Sequence, residues 1–251
     1  MISTFSTSVT ETLSKRVSVR AFTDQAIPDE MLEAVLDAAR RSPTSSNMQT
    51  YSIVVVKKPA TKKELAVLAG NQKHIETCPV FLAFCADLHR LEVACDLHGV
   101  ELAKSLETTL VSTIDAALVG MSVQTAAESF GLGGVMIGGM RNHPQEVAEL
   151  LGFPEGVYVV YGMCLGWPDE DEVTPQKPRL PETLVVHHER YEAGGEREKL
   201  QAHDRDLAEH YERLGRNLDE AAWSGPIAKR LQTPKRPDLR KTLELLGFRF
   251  D

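Results

Sequence analysis

Cysteine is scarce in this sequence: Cys78, Cys85, Cys95 and Cys164 are the four in 251 residues. No two stand at CxxC spacing and no histidine pair completes a zinc pattern, so neither a disulfide framework nor a zinc module is expected. Cys85 and Cys164 lie in apolar runs and read as buried thiols, which suits a reducing, cytoplasmic setting. Positive charge is also short: 28 Lys and Arg stand against 36 Asp and Glu, a net charge of −8. Nucleic-acid binding by counterion release needs the opposite balance, so no nucleic-acid partner is expected. Met1 to Ser8 lack the basic-then-apolar layout of a signal peptide. Uninterrupted apolar runs of membrane length are missing too. The best candidate, Leu110 to Ala127, is broken by Asp115 and Gln124 and is expected to be a buried helix rather than a membrane span.

What remains is an ordinary globular composition, 42% apolar and 25% charged, with length enough for a sizeable core. Ser8 and Glu11 are spaced as a capping box, and Phe5, Val9 and Leu13 fall on one helical face. Pro28-Asp29-Glu30 opens a helix carrying Leu32, Val35, Leu36 and Ala39 at helical spacing. Strands are expected over Tyr51 to Val56, Val80 to Cys85, Gly134 to Ile137 and Val157 to Leu165. The second is almost wholly apolar, which requires helices on both faces of the sheet. Helices are expected over Ala60 to Leu68, Leu102 to Phe130 (as one or two) and His143 to Leu151, the last closed by Gly152. Trp167 to Pro181 reads as loop, and charged helices follow, one with Leu207, Tyr211 and Leu214 on a single face. The pattern is a mixed α/β layer over 1–181, with a helical C-terminal extension of the same domain over 182–251.

Four residue groups have chemistry to offer. Arg16, Ser18 and Arg20 share one side of an extended segment and match phosphate oxygens, although for this segment alone a solvated basic turn is the preferred reading. Ser42 to Asn47 with Gln49 gathers hydroxyls and amides that could hold a heterocycle edge, or could be plain turn chemistry. Gly131 to Gly139 is not a dinucleotide fingerprint: the third glycine position is Met136, and a helix precedes the motif. Its Gly138-Gly139 pair could let a flat ring approach the backbone, or could mark a bulge. Lys177-Pro178-Arg179 spaces two cations stiffly enough to steady an anion, or is a solvated loop.

The order of these groups resembles one family. S-V-R-A-F-T-D-Q-A-I-P, Ser18 to Pro28, is similar to the opening motif of the nitroreductase superfamily. Supporting segments are Ala39-Arg40 through Gln49, Gly70 to His74, Phe84 to Asp87, Gly131 to Asn142, Cys164 to Pro168 and Lys177 to Pro181. The whole chain looks like the branch of oxygen-insensitive NADPH nitroreductases and NADPH-flavin oxidoreductases.

That resemblance implies an α+β fold, a central mixed sheet flanked by helices, in a homodimer with FMN at the subunit interface and NADPH or NADH as hydride donor. The hydride would pass through FMN N5, ping-pong fashion, to small-molecule acceptors such as nitroaromatics, quinones or flavins. It further implies that Arg16, Val17, Ser18 and Arg20 line the FMN phosphate and ring edge. Thr44 and Gln49 would lie along the flavin, with Gln72, Lys73 and His74 near it. Met136, Ile137, Gly138 and Gly139 would face its reactive side, and Lys177 and Arg179 its phosphate or pyrimidine end. No side chain is needed as a nucleophile, because the cofactor carries the chemistry. The chain departs from the family at three points. His-Arg before the serine is Arg16-Val17, Pro43 breaks the serine-rich loop, and the arginine that reads the NADPH 2′-phosphate falls at Leu214, beside Arg213 and Arg216. The choice between NADPH and NADH therefore stays open. Two other functions remain: a reductase supplying free reduced FMN to a partner, and a non-catalytic flavin-binding carrier.

Overall fold

A computed structural model describes residues 5–251, so the first half of the Met1 to Ser8 segment lies outside the described residues. Helices α1 (Ser8–Lys15) and α2 (Asp29–Ala39) precede strand β1 (Tyr51–Val56). Helices α3 (Pro59–Leu68) and α4 (Lys73–Thr77) lead into β2 (Val80–Asp87). Helices α5 (His89–Asp96) and α6 (Leu106–Ser129) separate β2 from β3 (Gly133–Ile137), and α7 (Pro144–Leu151) precedes β4 (Val157–Gly166). Helices α8 (Glu196–Arg213), α9 (Ser224–Leu231) and α10 (Leu239–Leu245) complete the chain.

The sheet order is β1-β2-β4-β3, and every named pair is antiparallel. The parallel component of the expected mixed sheet is a single bridge, between Ser18 and Gly134. Every residue of β2 and β4 is buried. Side chains alternate across a strand, so β2 serves two cores. Leu82, Phe84 and Ala86 pack with Leu32 and Val35 of α2, Val119 and Val123 of α6, and Leu243 and Phe248 near the C-terminus. Phe81, Ala83 and Cys85 pack with Leu65 of α3, Ile75 of α4 and Val147 of α7.

Helix starts and ends follow local chemistry. The first cap lies one residue earlier than Ser8: Thr7 Oγ1 accepts from the Thr10 amide (3.3 Å), while the Thr7 amide donates to Thr10 Oγ1 (2.8 Å). Glu11 is thereby left to accept from Ser6 Oγ at 2.9 Å. The apolar face read on this helix is exposed at Phe5, Val9 and Leu13. The expected Leu102 to Phe130 helix starts at Leu106, because Ser105 and Thr108 form a reciprocal capping box. Helices α4 and α5 escaped the sequence reading. The first spans five residues, too few to show a period, and the second buries no side chain.

Helix α6 is long and apolar enough, by length and composition, to cross a membrane. In this fold one of its faces, including Ala116, Val119, Val123 and Ala127, is buried against the sheet and α2. A second stripe on the same helix, Leu106, Leu110, Ile114 and Leu118, is exposed.

The chain falls into two units: residues up to Thr174 together with Asp238–Asp251, and Pro175–Pro237. From sequence alone the division lies at 181/182. Here the second unit begins earlier, and the chain returns to the first at Asp238. The return is anchored by Phe248, edge-on to Tyr158 at 4.8 Å, and by the Arg249 carbonyl, which accepts from Thr109 Oγ1 at 3.0 Å. In the second unit Asp204 accepts from the Trp223 and Ser224 amides, both at 2.7 Å, at the start of α9.

One close approach fixes how α6 lies on the sheet. Tyr161 Oη donates to the Ala116 carbonyl at 3.2 Å, and a Cβ on Gly120 would overlap that hydroxyl. Gly120→Ala gains helix propensity of about 1 kcal/mol, but overpacking typically costs about 1–3 kcal/mol and should win where the overlap is this severe. The expected result is a melting temperature lower by several degrees; an equal or higher one would show that α6 can shift freely.

Candidate functional site

After α1 the chain runs extended. The Val19 amide donates to the Gly134 carbonyl at 3.1 Å, and the Thr23 amide to the Trp167 carbonyl at 3.0 Å. These bonds stitch the Arg16 to Thr23 segment along the free edge of β3 and the end of β4. Val19 is buried, while Arg16, Ser18 and Arg20 alternate to the other side. The Phe22–Pro168 bridge then ties the segment to the chain just past β4; farther along β3, Met136 is exposed between buried Val135 and Ile137.

Helix α4 meets the same corner. His74 is held below its ordinary pKa, first by burial and then by the charge of Arg20, so it is neutral at neutral pH. Its Nε2 is buried with no hydrogen-bond partner among the described residues. Gln72 Nε2 donates to the Ala69 carbonyl at 2.7 Å. A Cβ on Gly139 would lie 2.5 Å from both of those atoms, so only glycine lets the backbone pass there. The structure thus gathers Ser18, Arg20, Gln72, His74, Met136, Ile137, Gly138 and Gly139. Lys73 is exposed at the start of α4. Arg16 turns instead toward α6, with Nε 3.3 Å from Glu128 Oε1, and Val17 stays half-buried beside it.

Thr44 and Gln49 are not in this corner. They sit in the loop before β1, at the opposite edge of the sheet from β3. Three inter-strand steps of ~4.8 Å keep them roughly 14 Å away or more. Buried Asp115 of α6 ties down both ends of this loop: its carboxylate accepts from the Ser45 amide (3.1 Å), the Thr50 amide (3.1 Å) and Thr50 Oγ1 (2.7 Å). Arg90 closes the loop from outside, donating to the carbonyls of Gln49 (3.0 Å) and Tyr51 (3.2 Å). Between these ties Ser46, Asn47 and Gln49 adopt φ of 46°, 57° and 54°, a left-handed conformation that ordinary side chains disfavour. Sequence reasoning treated Asp115 only as an interruption of an apolar run. A buried carboxylate must find donors, and that requirement was the available signal. Arg90 carried no signal in the sequence.

Lys177 and Arg179 belong to the second unit. They line a cavity of about 710 Å³ with His203, Leu207, Tyr211 and Trp223, and Lys177 Nζ stands 5.6 Å from the Tyr211 ring centre. Arg213 and Arg216 are exposed at the C-terminal end of α8. Their charge offsets the negative end of that helix, which by itself would repel a phosphate.

The Arg20 corner fits a flat, polar, anionic heterocycle. The Cβ-free backbone at Gly138 offers ring clearance, His74 Nε2 offers a buried hydrogen-bonding atom without a partner among the described residues, and Arg20 offers charge. FMN meets all three demands.

Comparison with known proteins agrees. The family model described as "Nitroreductase family" matches residues 13–167, and "Nitroreductase family, C-terminal domain" matches residues 177–251. The chain is 39% identical to the oxygen-insensitive NADPH nitroreductase of Salmonella typhimurium, over 95% of this chain and 97% of that one. It is 35% identical to an FMN reductase [NAD(P)H] of Bacillus subtilis, over 97% and 98% of the two. The solved structure of B. megaterium NfrA2 superposes with a TM-score of 0.93 at 36% identity, covering 98% of this chain and all of that one. With both of its regions matched and relatives aligned end to end, this chain belongs to the nitroreductase family.

Proposed function

We infer that the protein is an FMN-dependent NAD(P)H oxidoreductase that reduces small, flat, electron-poor acceptors. The observation that carries this reading is the Arg20 corner: a cation, a neutral histidine with an unused nitrogen, and side-chain-free backbone meet at one sheet edge in a chain of this family. Bound FMN supplies two-electron transfer from NAD(P)H to an acceptor. The chain's part is placement and charge. Arg20 and Ser18 hold anionic or carbonyl oxygens of the cofactor, with Arg16, Val17 and Lys73 on its flanks. Gln72 and His74 hydrogen-bond its polar edge, and the Gly138-Gly139 backbone, next to the exposed Met136 side chain, forms its floor. By the family resemblance, Lys177 and Arg179 are the candidates for the phosphate or pyrimidine end, where positive charge would steady the anion that reduction creates. Arg213 and Arg216 are the candidates for reading a 2′-phosphate on NADPH.

The working unit in this reading is a homodimer. Thr44 and Gln49 lie too far across the sheet to share a flavin with Arg20 of the same protomer, so a second copy supplies them. The exposed Leu106, Leu110, Ile114 and Leu118 stripe on α6, next to exposed Val9 and Leu13 of α1, is the apolar face such a copy would cover. Unpaired thiols, three of them buried, suit a cytoplasmic location.

Four measurements test these statements. Purified protein should be yellow, absorb in the flavin bands, and bleach anaerobically with NADPH or NADH; colourless protein that FMN cannot reconstitute ends the proposal. Turnover with a nitroaromatic or quinone, set beside turnover with free FMN, identifies the preferred acceptor. Arg20→Ala removes a charge-assisted contact and should weaken FMN retention by about tenfold to a hundredfold; an unchanged dissociation constant would remove Arg20 from the site. Ile114→Glu puts a charge in the centre of the exposed stripe and should yield monomer with reduced FMN content by sedimentation and absorbance. A dimer with full flavin would place the interface elsewhere.

A further inference from the structure

The cavity of about 710 Å³ in the second unit is built wholly from residues between Lys177 and Ile227. Local chemistry sets its floor. Buried Asp204 of α8 accepts from the Trp223 and Ser224 amides, both at 2.7 Å, and from Ser224 Oγ at 2.5 Å. These bonds pin the start of α9 to α8 and seat Trp223 edge-on to His203, ring centres 5.9 Å apart. Leu207, one turn along α8 from His203, and Ala222 are buried and complete the floor. Tyr211 follows one turn later, with Lys177 Nζ 5.6 Å from its ring centre. Lys177 and Arg179 stand exposed at the rim. Neither makes an ion pair among the described residues, although the chain carries 36 Asp and Glu.

We propose that this cavity binds a flat aromatic carboxylate, its ring against Trp223, Tyr211 and Leu207 and its anion at Lys177 and Arg179. The inference stands apart from the FMN reading, because the cavity uses no residue of the Arg20 corner. Three features support it. The volume and the mostly apolar lining with a few polar groups are those of a small-molecule site. The two cations at the mouth of an apolar cavity attract an anion more strongly than they would in open water, and the planar fork of Arg179 matches a carboxylate. Among the described residues no Ser, Thr, Asn, Gln, Asp or Glu lines the cavity. A sugar, a nucleotide or a peptide would therefore bury hydroxyls or amides that find few partners, and a cationic amine would find no counter-charge.

Ring and charge contribute through different residues, so they can be removed one at a time. The ring gains by leaving water for the floor, and that gain survives loss of the cations. The carboxylate gains only at the rim, and that gain falls as salt screens it.

The test is titration of the full-length protein with naphthalene-2-carboxylate, with 2-naphthalenemethanol, which keeps the ring and lacks the charge, and with adenosine 2′,5′-bisphosphate. The sequence holds 2 tryptophans, so Trp167→Phe leaves Trp223 emission as the reporter. One carboxylate should bind per chain, about tenfold more tightly than the alcohol. Arg179→Gln and Lys177→Gln should each weaken the carboxylate about tenfold and leave the alcohol unchanged. Ala222→Phe fills the floor and should abolish binding of both. Thermal melting checks folding, and if that variant does not fold, Ile227→Glu at the exposed rim sets an anion against the incoming one and should weaken the carboxylate alone. Absorbance in the flavin bands, read on the same samples, reports the cofactor site separately. Equal affinity for carboxylate and alcohol overturns the proposal, as does carboxylate binding that ignores both the charge variants and Ile227→Glu. Tighter binding of the bisphosphate than of the carboxylate overturns it too, and makes the cavity a nucleotide site. Absence of any binding ends it.

Discussion

The two central strands must be dry on both sides, and most of the first unit follows from that. Val80–Asp87 and Val157–Gly166 expose no residue to solvent. Their alternating side chains need one apolar layer of helices above and another below. Helices α2 and α6 with the returning C-terminus supply one layer, and α3, α4 and α7 supply the other. With the centre committed to packing, chemistry can occupy only the strand ends and the two edges. Both candidate regions lie there: the Arg20 corner beside β3, and the strained loop before β1.

Buried polar groups in this unit follow different rules according to how fully they are satisfied. Asp115 has three donors and acts as a fixed tie for the loop. His74 and Glu128 each keep one buried atom without a partner among the described residues. A fully paired group stabilises one conformation, whereas an unpaired buried atom is a standing cost that a ligand or a proton can relieve. The distinction separates positioning residues from those placed to respond to binding. It also explains why the sheet can be rigid while its edges remain chemically open.

The exposed apolar stripe on α6 belongs to the same logic. A helix apolar on two faces is compatible with a single protomer only if one face is covered by the fold and the other by something else. Here the covered face is set by Gly120, where Tyr161 presses against the helix, and the uncovered face is turned away from the sheet.

Much of the fold was legible in the sequence, for identifiable reasons. Strands Tyr51–Val56 and Val80–Asp87 announce themselves because burial demands unbroken apolar runs, and α7 because Pro144 and Gly152 mark its two ends. The shift of the first cap from Ser8 to Thr7 was illegible, since several hydroxyl residues there could serve and only geometry selects one. The motif residues Arg20, Gln72, His74 and Gly138-Gly139 could be named from their order along the chain. Their meeting at one corner, and the separation of Thr44 and Gln49 from them, depend on a strand order that no local pattern encodes. The primary structure by itself settled the class, the family resemblance and the residue types available for binding, because these reside in composition and spacing. Tertiary structure alone decided which charges face which: Arg16 could be recognised as a cation from its letter, but its engagement by Glu128, 112 positions away, exists only once the β3 edge and the end of α6 are packed together.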